Sequence, residues 1–263
     1  MGNMDSEKIG IYGDSYGVWM ESDDMLNPGE KSYPKLIAKN LNLEIVKHSR
    51  PGTSIWWSYQ QFLKSYHKYK FIIFVYSQHN RWHHLSEEAH GMYYLTIRRS
   101  YVDVPNPDKE RKRISEILYN AYRYVNSEEL DCFIFQHVFN SINQICKNNN
   151  IGLLNILPFE DGSMYINYDN RTGSCIYNLN NLADYEKSGL SKPEAEAFFK
   201  MVCDMDRRDC HLSDYHNDLV ASVCLQALDQ NLPMIDIMKD DRISNNPEHN
   251  YHLYTDYLNE IHK

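Results

Sequence analysis

An unbroken apolar run, Phe71-Ile-Ile-Phe-Val-Tyr76, does most to limit what this chain can fold into. Strands that are apolar on both faces are typical of parallel sheets covered by helices on each side. Further short runs of strand character lie at 8–12, 43–47 and 152–157. Segments with helical spacing stand between and after them, at 33–41, about 54–66, 108–148 and 214–229, and the third of these is predicted to be two helices broken near Ser127. This alternation predicts right-handed β-α-β crossovers and a parallel sheet.

Length and composition indicate one large globular unit. The chain has 263 residues, of which 42% are hydrophobic and 24% are charged. We expect a domain over residues 1–233 with loop insertions near 81–110 and 159–190, followed by a tail over 234–263 that packs on or extends from the domain. The two insertions follow strands that end at the carboxyl edge of the sheet, which predicts that they form a substrate-facing rim. Packing ornaments or an oligomer contact are the alternative interpretation.

The charge pattern and the cysteines exclude several classes of protein. The formal net charge is −9 without a basic stripe, which argues against a nucleic-acid partner. No apolar run approaches the roughly 20 residues that a membrane span needs, and the polar start lacks the pattern of a secretory signal. Six scattered cysteines without a C-x-x-C pair predict reduced thiols, a cytoplasmic location and no zinc site.

The chain turns sharply after its first strand, at Gly13-Asp14-Ser15. In open α/β sheets this position, at the carboxyl end of a strand and before a helix, is where ligands bind. A serine here has backbone N–H groups beside it that favour developing negative charge. A purely structural turn uses the same residue types, with Gly13 for backbone freedom and Asp14 or Ser15 as the cap.

A histidine far along the chain gives this serine a chemical partner. His211 lies in Asp209-Cys-His-Leu-Ser213, just before the predicted helix 214–229. A serine hydroxyl is a poor nucleophile until a base takes its proton, and the base needs a carboxylate or carbonyl to hold its tautomer. His216, five residues later, is predicted to be a packing or capping residue.

On these residues the chain resembles the SGNH/GDSL-type serine hydrolases. Gly13-Asp14-Ser15 matches the first sequence block of that family and implies Ser15 as the nucleophile. Arg50-Pro-Gly52-Thr-Ser, after the second strand, matches the second block and implies the Gly52 N–H as an oxyanion donor. The resemblance also implies a flavodoxin-like, three-layer α/β/α fold with a mostly parallel, five-stranded sheet.

The third block departs from the family pattern. The family reads G-x-N-D after its third strand, whereas this chain reads Tyr76-Ser-Gln-His-Asn80-Arg. The resemblance implies Asn80 as the side-chain donor to the oxyanion, with Gln78 as the alternative. The implied oxyanion hole therefore consists of the N–H groups of Ser15 and Gly52 and the amide of Asn80.

The last block departs as well. The family reads D-x-x-H, but Arg208 stands three residues before His211. Asp209, two residues before the histidine, is assigned the orienting role. Asp206 or a backbone carbonyl remains an alternative, and the latter leaves a Ser–His dyad.

These residues predict an ester hydrolase that removes an acyl group through an acyl-serine intermediate, without a cofactor. The expected substrate is a small-molecule or carbohydrate ester, with an acetyl group as one candidate. A non-catalytic binding or structural protein with the same fold is the alternative, and acyl transfer to a sugar is a third option. Four histidines close in sequence lack metal-ligand spacing and are predicted to be a surface or loop cluster: His79, His83, His84 and His90.

Overall fold

The computed structural model describes residues 7–18, 32–51, 53–78, 127–159, 172–179, 182, 212, 214–232 and 234–244. Its sheet contains six strands: β1 Lys8–Tyr12, β2 Glu44–Lys47, β3 Phe71–Val75, β4 Gly152–Leu157, β5 Ser174–Tyr177 and β6 Met234–Asp236. The described helices are α1 Tyr33–Asn40, α2 Ile55–Ser65, α3 Glu128–Asn148, α4 Asp214–Asp229 and α5 Asp241–Ser244. Short 3₁₀ turns cover Ser15–Gly17, Tyr66–Lys68 and Ile237–Lys239.

All neighbouring strands are parallel, in the order β2-β1-β3-β4-β5-β6. From β1 the chain first moves to one side to form β2 and then crosses back over β1 to form β3. The order of the strands therefore reverses between β1 and β3. In doubly wound sheets the crevice at the carboxyl ends of such a pair is the usual ligand site.

Two apolar cores, one on each face of the sheet, confirm the three-layer α/β architecture. One face carries aliphatic strand residues such as Ile11, Ile73 and Ile156, which pack with the buried sides of α1 and α4. The other face is rich in aromatic residues, including Tyr12 and Phe74, and packs with α2 and α3. The alternation of strand side chains between these two layers explains why the strands are apolar on both faces.

The expected count of five strands is wrong, because the described residues alone form a sheet of six. Strand β5, Ser174–Tyr177, lies inside the stretch 159–190 that was assigned to a loop insertion and rim, and it is largely buried between β4 and β6. Residues 234–236, expected at the start of a tail, form the edge strand β6. Runs of four and three residues are too short to show strand periodicity, and Asn, Gly and Ser around them favour a loop prediction.

The other predicted elements agree with the structure within about two residues. Helix α4 has its predicted bounds, and α3 begins where Ser127 accepts a hydrogen bond from the Leu130 N–H. The insertion 81–110, the helical pattern over 108–126 and residues 245–263 lie outside the described residues. No helix within the described ranges has the length and apolar character needed to cross a membrane.

Candidate active site at the carboxyl edge of the sheet

The turn after β1 depends on a glycine. Gly13 has a φ of +143°, which side-chain-bearing residues rarely adopt. A Cβ atom at this position would lie 2.5 Å from both the Cβ and the carbonyl oxygen of Val75, at the end of β3. The absence of a side chain thus lets the end of β1 approach β3 closely, and this brings the turn to the point where the strand order reverses.

Asp14 is the cap of the turn. It is fully buried, and its carboxylate accepts a hydrogen bond from the Tyr16 N–H at 3.1 Å. The Gly17 N–H donates to the Asp14 carbonyl at 3.1 Å, and the Val18 N–H donates to the Ser15 carbonyl at 3.3 Å. Of the two caps that the sequence left open, Asp14 therefore has this role, and the Ser15 side chain is not needed for it.

Ser15 lies half-buried at the first position of this turn. Neither its hydroxyl nor its N–H has a hydrogen-bond partner among the described residues. Of the other serines near this edge, Ser54 accepts from the Trp57 N–H at the start of α2. The hydroxyls of Ser49 and Ser77 also lack a hydrogen-bond partner among the described residues, but both are buried, whereas Ser15 is partly exposed. The turn therefore presents a hydroxyl and an adjacent N–H that its own fold does not use.

The loop after β2 is tied directly to this turn. The Arg50 N–H donates to the Gly13 carbonyl at 3.0 Å. The buried Thr53 hydroxyl lies 3.2 Å from the same oxygen and 2.9 Å from the Arg50 carbonyl oxygen. Gly52, the predicted oxyanion donor between these two residues in sequence, lies outside the described residues.

The segment after β3 carries one of the two predicted side-chain donors. Gln78 is half-buried and follows the buried Ser77, while Asn80 lies outside the described residues. The Tyr76 N–H donates to the Ile156 carbonyl at 2.8 Å, so this segment leaves the sheet in register with β4. The structure therefore places Gln78 just beyond the end of β3, as the sequence predicts.

The chain next to the predicted base is held by an asparagine of α4. His211, Asp209, Asp206 and Arg208 lie outside the described residues. Leu212 is buried, and its carbonyl accepts from Asn217 Nδ2 at 3.2 Å. Asn217 Oδ1 accepts from the Tyr33 N–H at 2.9 Å. The residue that follows His211 is thereby joined to the first turn of α1.

The start of α1 lies on the same side of the sheet as the Ser15 turn. Tyr33 is fully buried, and burial is the main reason that the pKa of its hydroxyl lies well above the ordinary value, with further contributions from Cys224, Asp14 and Tyr16. Tyr16 and Leu212 belong to the same apolar core as Tyr33. Leu212 and the Ser15 turn therefore share one face of the sheet.

His216 does not fit the role of a base. It lies in the first turns of α4 with 2% of its surface exposed, and burial lowers its pKa to about 4. A buried imidazole of this kind is neutral and inaccessible near pH 7. The predicted packing role agrees with this burial.

Metal ligands do not gather within the described ranges. No three His, Cys, Asp or Glu side chains there lie close enough together to hold a metal ion. The sequence cluster of His79, His83, His84 and His90 lies outside the described residues. Two thiols, Cys146 and Cys224, are buried on opposite faces of the sheet, and burial raises the pKa of Cys146 to about 12.

Two residues that organise this edge were not identified from the sequence. Thr53 joins the loop after β2 to the turn after β1, and Asn217 joins Leu212 to α1. Both roles depend on contacts between distant segments, for which a single sequence carries no signal.

Comparison with known proteins found matches among solved structures and none by sequence. No family model matches the chain, and no curated protein matches its sequence. Among solved structures, a match is found to a carbohydrate esterase whose active site is described as displaying divergent catalytic and non-catalytic binding functions. The two share 12% sequence identity with a TM-score of 0.43, and the match covers 85% of this chain and 68% of the esterase chain.

Proposed function

We propose that this protein is a serine ester hydrolase in which Ser15 attacks the ester carbonyl and carries the acyl group as an intermediate. The proposal rests on one observation, the partial exposure of Ser15 and the absence, in the part of the chain that the structure describes, of a partner for its hydroxyl and N–H. Its hydroxyl and N–H lie half-buried beside the reversal of strand order and have no partner among the described residues. Asp14 meets the structural needs of the turn, which leaves the serine for chemistry.

His211 is the proposed general base. It takes the Ser15 proton during attack and gives it to the leaving alcohol. A water molecule then attacks the acyl-serine, the histidine takes the water's proton and returns it to the Ser15 oxygen, and the acid is released. Asp209 holds the imidazole, with Asp206 or a backbone carbonyl as the alternative. The bond from Asn217 to the Leu212 carbonyl supports this role, because it keeps the neighbouring residue on the face of the sheet that the Ser15 turn occupies.

The negative charge of the tetrahedral intermediate needs donors that are already in place. We assign this role to the N–H groups of Ser15 and Gly52 and to the amide of Asn80, with Gln78 as the alternative. Each such donor is typically worth about 2.7–4 kcal/mol in the transition state. The hydrogen bonds from Arg50 and Thr53 to Gly13 support a fixed relation between the first two loops.

The resemblance to SGNH/GDSL hydrolases supports the same assignment through its first two blocks. A small-molecule or carbohydrate ester is the proposed substrate class, with an acetyl ester as one candidate. The rim that recognises it is proposed to include residues 81–110. A non-catalytic binding protein is the second candidate, and the observation that favours it is Arg208 in place of the aspartate expected three residues before the histidine.

A serine-directed fluorophosphonate probe tests the proposal. The wild-type protein should be labelled at Ser15, while Ser15→Ala and His211→Ala should lose labelling. Ser222→Ala is the matched control, because Ser222 is an exposed serine on α4 whose hydroxyl accepts a hydrogen bond from Arg242. Equal labelling of the wild type and Ser15→Ala contradicts the assignment, and a wild type that folds but is not labelled favours the binding protein.

A further inference from the structure

One carbonyl oxygen holds the turn after β1 and the loop after β2 together. The Gly13 oxygen accepts the Arg50 N–H at 3.0 Å and lies 3.2 Å from the Thr53 hydroxyl. The same hydroxyl lies 2.9 Å from the Arg50 carbonyl oxygen, so its proton is shared between two acceptors. Thr53 is 1% exposed, which shields these bonds from competing water.

Both partners of this contact are themselves fixed. Gly13 lies close to β3, because a Cβ atom here would be 2.5 Å from the Val75 carbonyl oxygen. At the other end, Ser54 follows Thr53 directly and caps α2 by accepting the Trp57 N–H. Thr53 therefore stands between the strand end and the start of a helix, and its hydroxyl contacts the carbonyl oxygens of both Gly13 and Arg50.

We propose that Thr53 is a positioning residue, which sets the distance between the nucleophile turn and the loop that carries Gly52. This inference rests on the proposed function. Oxyanion donors contribute only when they lie about 2.7–3.1 Å from the oxyanion, so a small displacement of one loop removes their contribution to the transition state. Loss of the Thr53 hydroxyl should therefore lower kcat, while substrate binding changes little.

A purely structural hydrogen bond predicts a different result, and the chain offers a matched control. Thr172 also donates its hydroxyl to a backbone carbonyl of another segment, that of Asn143 at 2.8 Å. It precedes β5 and so lies at the amino edge of the sheet, away from Ser15. Thr53→Val and Thr172→Val remove the same group, but only the former removes it at the proposed site.

The experiment compares Thr53→Val, Thr53→Ser and Thr172→Val by ester kinetics, thermal unfolding and amide hydrogen exchange at Arg50. For Thr53→Val we expect a fall in kcat of about 10- to 100-fold with KM within about 2-fold of wild type. Exchange of the Arg50 N–H should become faster. Thr53→Ser should recover most of kcat, and Thr172→Val should keep wild-type kinetics even if its melting temperature falls equally.

Wild-type kcat in Thr53→Val overturns the inference, as does an equal loss of kcat in Thr172→Val. Unchanged Arg50 exchange in Thr53→Val also overturns it, because the segment is then held without the hydroxyl. Failure of the proposed function is a separate result, seen as unchanged turnover in Ser15→Ala. The Arg50 exchange rate still decides in that case whether Thr53 fixes the segment.

Discussion

Strands β1 and β6 end in the same local structure but differ in what they present. After each strand an aspartate caps a 3₁₀ turn by accepting the N–H two residues ahead, at 3.1 Å for both Asp14 with Tyr16 and Asp236 with Met238. The residue between cap and donor is the half-buried Ser15 in the first turn. In the second it is Ile237, which is fully buried in the core.

The polar groups of the β6 turn form hydrogen bonds and an ion pair that hold the fold together. Asp236 also accepts from Asn178 Nδ2 at 2.7 Å and forms an ion pair with Lys239 at 3.6 Å. At β1 the serine hydroxyl and N–H have no such partner within the described residues. An aspartate-capped turn is therefore a structural device, and the proposed reactivity of the β1 turn depends on a partly exposed serine without a described hydrogen-bond partner at the reversal of strand order.

The largest expected effect comes from removing the serine hydroxyl. Ser15→Ala should lower turnover of short-chain aryl esters by about 10³-fold or more, with a nearly unchanged melting temperature, because the hydroxyl makes no described structural bond. Ile237→Ser places a serine in the equivalent turn of β6 and serves as the control. It should give no labelling at that position and should lose about 3 kcal/mol of stability through the lost burial. Labelling there would mean that the turn alone activates a serine.

The next effect concerns the backbone that brings the β1 turn against β3. Gly13→Ala should lower the free energy of unfolding by about 3–5 kcal/mol, because a methyl group meets Val75 in addition to the unfavourable φ. Asn42→Ala is the comparison variant without a close contact, since Asn42 is exposed and has a φ of +54°, in the left-handed region that L residues tolerate at modest cost. It should cost about 1 kcal/mol in denaturant unfolding. Equal losses in the two variants would contradict the tight contact.

A smaller effect is expected from pH on the α4 side of the sheet. The pKa of His216 is about 4 in the folded protein, below its ordinary value of 6.5, because the ring is buried. The unfolded chain therefore binds a proton that the folded protein does not as pH falls from about 6.5 to 4. This lowers the free energy of unfolding by roughly 3 kcal/mol over that window.

The variant His216→Gln should remove this part of the pH dependence, as measured by denaturant unfolding between pH 4 and 7. His48→Gln is the control on the opposite face. Burial lowers the pKa of His48 as well, but the ring is only half-buried, so its contribution should be smaller. A wild-type pH profile in His216→Gln would show that other groups cause the acid sensitivity.

The smallest expected effect separates the two caps. Asp14→Ala and Asp236→Ala should each cost about 1–2 kcal/mol of stability, the usual value of a lost cap. Only Asp14→Ala should also reduce kcat, because only its turn carries Ser15. The asparagine variants keep an acceptor oxygen and should restore much of the loss. A reduced kcat in Asp236→Ala would contradict the prediction that only the β1 turn affects catalysis.

Sequence reasoning succeeded where the apolar pattern was long and failed where it was short. Strands β1, β3 and β4 and helix α4 are predictable because their residues are buried in continuous or periodic runs. Strand β2 is short and only partly buried, and it is predictable from the Ser-Arg-Pro-Gly turn that closes it. Strand β5, with only Ser-Cys-Ile-Tyr, and the three residues of β6 offer no period to detect. Their strand conformation comes from pairing with neighbouring strands, which the local sequence does not encode.

The candidate site shows the same division. The turn at Gly13, Asp14 and Ser15 could be predicted because its residue types and its place after a strand are local features. Thr53 and Asn217 act on residues 40 and 184 positions away in sequence, so their roles depend on how the segments pack. The positions of Gly52, Asn80, Asp209 and His211 stay predictions.

The most direct test of the account is to trap the acyl group on the protein. The wild-type protein is mixed with p-nitrophenyl acetate, quenched in acid within the first turnovers and digested for mass spectrometry. We predict one acetyl group on the peptide that contains Ser15, and none on that peptide in Ser15→Ala. Acetylation that persists in Ser15→Ala, or turnover whose acetyl group is found on a different residue, would contradict Ser15 as the nucleophile.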